Sequence, residues 1–122
     1  MKGDISKQED IELLVDTFYE RVFKDEMLSP HFTDVDFPAH RPKMISFWCF
    51  VLLGVPGYTT NVFQKHTHLH IGQQHFDRWV AVFHETIDDL FDGETASDAK
   101  FRATSLGWTF GHKMEQLRSP GN

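Results

Sequence analysis

Apolar residues in this chain recur every three or four positions and nowhere alternate. The first stripe is Ile11, Leu14, Val15, Phe18 and Val22, and a second is Met44, Phe47, Trp48 and Val51. A third runs through Phe76, Trp79, Val80, Phe83, Ile87 and Leu90. That spacing follows the α-helix, whose residues i, i+3, i+4 and i+7 share a face, and it excludes half-buried strands. The chain therefore reads as all-α, with four substantial helices in a single domain spanning residues 1–122.

Local signals place the ends. Ser6-Lys7-Gln8-Glu9 reads as a capping box opening the first helix, with the Ser6 hydroxyl and the Glu9 carboxylate meeting free amides. Lys24 to Pro38 is a connector with short helical turns, anchored by Met27, Leu28 and Phe32. The second helix is expected from about His40 to Leu53, with Pro42 in its first turn and Gly54-Val55-Pro56-Gly57 as its end. A short helix is expected over Lys65 to Leu69, broken by Gly72. Asp92-Gly93 closes the third long helix. The last runs from about Thr95 to Leu117 and presents Phe101, Ser105, Trp108 and His112 on one side. Trp48 and Trp108 read as core aromatics.

Charge and cysteine content narrow the function. A formal charge of −6, with Lys and Arg scattered, argues against nucleic acid, because phosphate binding needs a basic face. The single Cys excludes an internal disulfide and a cysteine-held cluster within one chain, and no Cys-x-x-Cys-His offers covalent haem attachment. The N-terminus lacks an apolar signal core, and no apolar run is long enough to span a bilayer. A cytoplasmic location is expected.

Chemistry concentrates in His66-Thr67-His68-Leu69-His70-Ile71-Gly72-Gln73-Gln74-His75-Phe76-Asp77-Arg78-Trp79. Histidine used this densely points to metal or cofactor binding, and two readings compete. On a helix His66 and His70 share a face, and on a strand His66, His68 and His70 do, so either pattern can hold Zn or Ni. Haem asks instead for one imidazole on iron and an apolar slot for the porphyrin. His66 can supply the first, with Leu69, Ile71, Phe76 and Trp79 as the slot. The 14% aromatic content, with twelve Phe and three Trp, gives a large flat apolar ligand surfaces to pack on. His40 faces inward with Met44, Phe47, Trp48 and Val51, at offsets of four, seven, eight and eleven. Tyr19 lies on the first stripe beside Phe18. These two polar groups are placed to reach the opposite side of such a ligand. Cys49 sits about 180° from His40 on the helix and cannot serve the same site.

The order of these residues resembles one family. Phe18-Tyr19-Glu20-x-Val22, Leu28-x-Pro30-x-Phe32, His40 with Phe47-Trp48 and Leu52-Leu53-Gly54, then Tyr58, precede His66-x-x-Leu69-x-Ile71-x-x-x-His75-Phe76-x-Arg78-Trp79. From about Ile11 to Leu117 this is similar to the group III truncated haemoglobins of bacteria. The resemblance implies a shortened globin fold, two helix pairs around haem b. It implies His66 as proximal ligand, Tyr19 and His40 as distal groups, and Trp79 as a tryptophan directed at the distal pocket. By the same likeness Phe32 packs on the porphyrin and Met44 stands one turn beyond the distal His. Lys43 and Lys65 are candidates for the propionates on charge grounds. The resemblance assigns no role to His68 and His70.

Three function classes follow. One is a haemoprotein binding O2, CO and NO. A second is an enzyme on the same haem, dioxygenating NO or reducing peroxide with the help of a reductase. The third is a haem-free Zn or Ni module built on His66, His68 and His70.

Overall fold

The computed structural model describes residues 2–32, 36–56 and 73–118, with side chains of the last helix described through residue 109 and at His112. Among the described residues five helices form in order: α1 Gln8–Lys24, α2 Ser29–Phe32, α3 Phe37–Leu53, α4 Gln73–Leu90 and α5 Glu94–Arg118. There is no strand among the described residues. None of the helices searched is long and apolar enough to cross a membrane. The expected segment Lys65 to Leu69 lies outside the described residues.

Helix α1 buries the stripe its sequence displays: Ile11, Leu14, Val15, Phe18, Tyr19 and Val22. Its start differs in one respect from expectation. The capping carboxylate is Asp10, not Glu9: it accepts from the backbone N–H of Ser6 and of Lys7, while the Ser6 hydroxyl also meets Asp10. Asp10 sits three residues into the helix from the Lys7 cap, the position from which a carboxylate reaches back to the cap amide. In the connector, Leu28 and Phe32 are buried as anchors, but Met27 is exposed. The turn there is set by Asp25, whose carboxylate accepts from the amides of Met27 and Leu28.

Helix α3 begins three residues earlier than the spacing suggests. Asp36 caps it, its side chain accepting from the Ala39 amide, and Pro38 occupies the first turn where no donor is missed. Pro42 thus falls inside the helix. The helix ends where Gly54 takes the left-handed conformation at φ 71°, which costs glycine nothing.

Helices α4 and α5 run antiparallel across a tight turn. The His84 ring meets the Lys100 carbonyl and the Thr104 hydroxyl, and Asp88 pairs with Lys100 at 2.7 Å. Their close approach rests on small residues: Ala99, Ala103 and Gly107, four apart, are all buried. A side chain on Gly107 would run into Val80 and lie 3.5 Å from the Phe76 carbonyl oxygen. Helices α1 and α3 form the other antiparallel pair, tied by Arg41 to Asp16 at 2.6 Å. Between the pairs, α1 crosses α4 through Phe18 and Phe83 and through Arg21, which reaches Asp89 at 2.8 Å. The N-terminal residues clasp the α4–α5 turn. Asp4 accepts from the amides of Thr95 and Ala96, and the Gly3 carbonyl accepts from Asp92. Burial pushes the Asp4 carboxyl up, but these amides together hold it below its usual range.

Asp25 joins α1 to α4 through Arg78, at 2.6 Å. The Arg78 hydrogen bond holds the Asp25 carboxyl below the ordinary range, against the opposing effect of burial. The carboxylate is therefore stabilised more in the folded chain than in the unfolded one. This contribution is present above the unfolded value of about 3.9 and is lost as pH falls through the lower folded value. Asp25→Asn is expected to destabilise the protein at neutral pH by about 1–3 kcal/mol. Urea unfolding should show that gap closing as the pH is lowered below about 3.9.

Candidate functional site

Phe18 is the hub from which the site is built. Its ring meets Tyr19 at 5.2 Å, Phe83 at 5.2 Å and Trp79 at 5.4 Å, in each case edge to face. That geometry places the positive ring edge on a negative ring face. Phe83 stacks between Trp48 at 4.9 Å and Trp79 at 5.8 Å, so α1, α3 and α4 contribute to one aromatic cluster. Phe18, Phe83 and Trp48 are almost wholly buried, and Trp79 is partly exposed at the cluster's edge.

Tyr19 is 2% exposed, and its hydroxyl lies 3.4 Å from His40 Nε2. Whichever ring nitrogen carries the proton, the phenol has a partner, as donor to a bare Nε2 or as acceptor from a protonated one. Burial pushes the phenol well above its ordinary range, so it remains a neutral O–H donor at physiological pH. The first turn of α3 delivers His40 to it, and the rings meet at 5.8 Å, edge to face.

The expected distal set is thus brought together in part. Tyr19 and His40 touch directly, while Trp79 joins them through Phe18. Met44 and Phe32 are buried, Phe76 is 4% exposed, and Lys43 is exposed on α3. His66, Leu69, Ile71, Lys65, Tyr58, His68 and His70 lie outside the described residues. Among the described residues no three His, Cys, Asp or Glu side chains cluster to hold a metal.

A cavity of about 390 Å³ opens between α3 and α5, lined by Phe47, Val51, Phe101 and Leu106 with Asp98, Arg102 and Ser105. Phe47 and Val51 follow His40 by seven and eleven residues, so all three stand within about 20° of one helical line. One stripe of α3 therefore runs from the polar Tyr19–His40 pair to an apolar slot. The side of α5 on which the sequence sets Phe101 and Ser105 forms this wall, though sequence reasoning gave that side no part in a site. Phe101 and Trp108 are exposed by 70% and 64%, so Trp108 is not a core aromatic. It stacks on His112 instead, at 5.2 Å. The buried face of α5 is its small-residue line, which a search for large apolar residues passes over.

A model of the bacterial-like globin family matches residues 3–106. The group 3 truncated hemoglobin ctb of Campylobacter jejuni is 33% identical over 117 residues, 90% of this chain and 92% of the relative. The crystal structure of the group III truncated hemoglobin from Campylobacter jejuni superposes with a TM-score of 0.84 at 29% identity, covering 96% of this chain and 98% of the other. The chain belongs to the group III truncated haemoglobins.

As a globin it belongs to a haem-binding family, and the described residues fit that group chemically. The α3–α5 slot is apolar, and the polar end of its stripe carries a neutral phenol and an imidazole. Cys49 plays no part in it. Burial, with a further contribution from Glu12, pushes its thiol up, so the reactive thiolate is disfavoured. The globin's Cys49, 4% exposed, should react with a thiol reagent much more slowly than the same thiol in the unfolded chain, a ratio that reagent-trapping kinetics would read. Phe83→Ala removes the ring shared by Trp48, Trp79 and Phe18 and should cost about 3–5 kcal/mol in denaturant unfolding.

Proposed function

We propose that this globin binds haem b through His66 and takes O2, CO or NO on the side of Tyr19 and His40. The observation that carries the reading is a buried, protonated phenol hydrogen-bonded to an imidazole on the helix stripe that also lines the apolar slot. His66 would hold the haem iron, and haem, when bound, would supply the site at which a diatomic ligand is taken. The protein's part is to wedge the macrocycle, exclude water and aim donors.

In this reading Phe32, Met44, Phe47, Leu69, Ile71 and Phe76 would pack on the porphyrin, and Lys43 would pair with a propionate by charge. Tyr19 and Trp79 are donors to a ligand that draws negative charge. His40 acts as acceptor for the Tyr19 hydroxyl when no ligand competes, and as a second polar wall when one does. A phenol held dry makes a stronger hydrogen bond than one in water, because the local dielectric is low. Such donors slow ligand escape, which suits sensing or redox chemistry better than bulk delivery.

Supplying haem to the purified chain should generate a Soret band, and His66→Ala should remove the axial-nitrogen signature. Tyr19→Phe should raise the O2 dissociation rate by about 5- to 150-fold, the equivalent of one hydrogen bond of about 1–3 kcal/mol. An unchanged rate would remove Tyr19 from the donor role, and a colourless chain after haem addition would overturn the whole reading.

A further inference from the structure

Two phenylalanines close over Tyr19. Phe37 meets its ring at 5.3 Å and Phe23 at 6.2 Å, and the two phenylalanines meet each other at 5.8 Å with their planes at 89°. The three rings form a closed triangle. Exposure is graded across it: Tyr19 is 2% exposed, Phe37 is partly buried, and Phe23 is 36% exposed. Single exposed apolar residues are ordinary, but here the exposed ring is in contact with both others.

The two rings come from the elements that make the distal pair. Phe23 follows Tyr19 by four residues on α1, so it covers the adjoining turn. Phe37 precedes His40 in the first turn of α3, a turn fixed by the Asp36 cap. One helical turn therefore grips Tyr19 twice, through the Phe37 ring and through the His40 hydrogen bond.

We propose that Phe23 and Phe37 form a water seal over the Tyr19–His40 pair and fix the direction of the Tyr19 hydroxyl, acting as positioning residues for the distal hydrogen bond. The proposal rests on the distal reading of Tyr19 given above. The seal acts in two ways. It excludes water that would compete for the hydroxyl and weaken its bond in a higher dielectric. It also restrains the phenol ring, so the hydroxyl does not have to be ordered when a ligand arrives.

The test uses two readouts on the full-length protein. The sequence holds two tyrosines, Tyr19 and Tyr58, so in a Tyr58→Phe background the ultraviolet absorbance of phenolate reports Tyr19 alone. Phe37→Ala should let Tyr19 ionise at distinctly lower pH, because water reaches it. In the haem-loaded protein the same change should raise the O2 dissociation rate about threefold to tenfold, with a shift in the CO stretching band. Phe37→Leu, which keeps an apolar cover, should restore most of both. In a Tyr19→Phe background, Phe37→Ala should add nothing to the dissociation rate. Phe23→Ala, at the exposed edge, provides the same comparison if Phe37→Ala does not fold.

Wild-type titration and wild-type dissociation in Phe37→Ala would overturn the seal. So would an effect of Phe37→Ala that persists undiminished without the Tyr19 hydroxyl, since the ring would then act on the fold. Failure of the distal reading is separately visible: Tyr19→Phe alone would leave the dissociation rate unchanged, while the phenolate titration would still report whether water is excluded.

Discussion

The Phe18 ring, set edge-on against Tyr19, Trp79 and Phe83, is the contact on which the arrangement depends. It lies where α1 crosses α4, so it fixes how one helix pair sits on the other. Each edge-to-face pair contributes about 0.5–1.5 kcal/mol beyond burial. Their larger effect is directional, since aromatic edges and faces accept few alternatives. Tyr19 is the next residue on α1, and its hydroxyl is aimed by the same ring contacts that hold the core. Packing and site are here one structure.

This coupling explains how a short chain builds a polar site inside an aromatic interior. A buried phenol with no partner is costly, and His40 removes that cost. Among the described residues no buried side-chain nitrogen or oxygen lacks a hydrogen bond. The polar pair is thus tolerated by the fold before any ligand arrives. Its chemistry is then set by burial, which keeps water from the phenol, and by the α3 register, which lines it up with the apolar slot.

Much of this was legible in the sequence, and the exceptions are instructive. The buried stripe of α1 and the inward His40 follow from helical spacing, and the Leu28 and Phe32 anchors from being large apolar residues in a polar connector. The start of α3 was misjudged because Asp36 and Pro38 look like loop residues until one is recognised as a cap and the other as a first-turn proline. Met27 and Trp108 were misplaced because size and hydropathy do not reveal which side of a helix faces a neighbour. The core face of α5 is instead Ala99, Ala103 and Gly107, whose contribution is to be small. Phe37 escaped notice for a related reason: its neighbours Phe23 and Tyr19 belong to another helix.

The clasp of Asp4 on the start of α5 spans 91 residues of sequence, about three quarters of the chain. A carboxylate at a helix N-terminus satisfies orphan amides and opposes the macrodipole, a role normally filled by the residue just before the helix. Here that place is held by Gly93, at φ 151° and with no room for a side chain beside Asp4. The capping duty has been transferred to the opposite end of the polypeptide. The entropic cost of closing a loop grows only with the logarithm of its length, so a cap drawn from so far away in sequence is little more costly than one from a nearby loop. Asp4 is thus a latch on the first turn of α5, and without its carboxylate the Thr95 and Ala96 amides would be left to water.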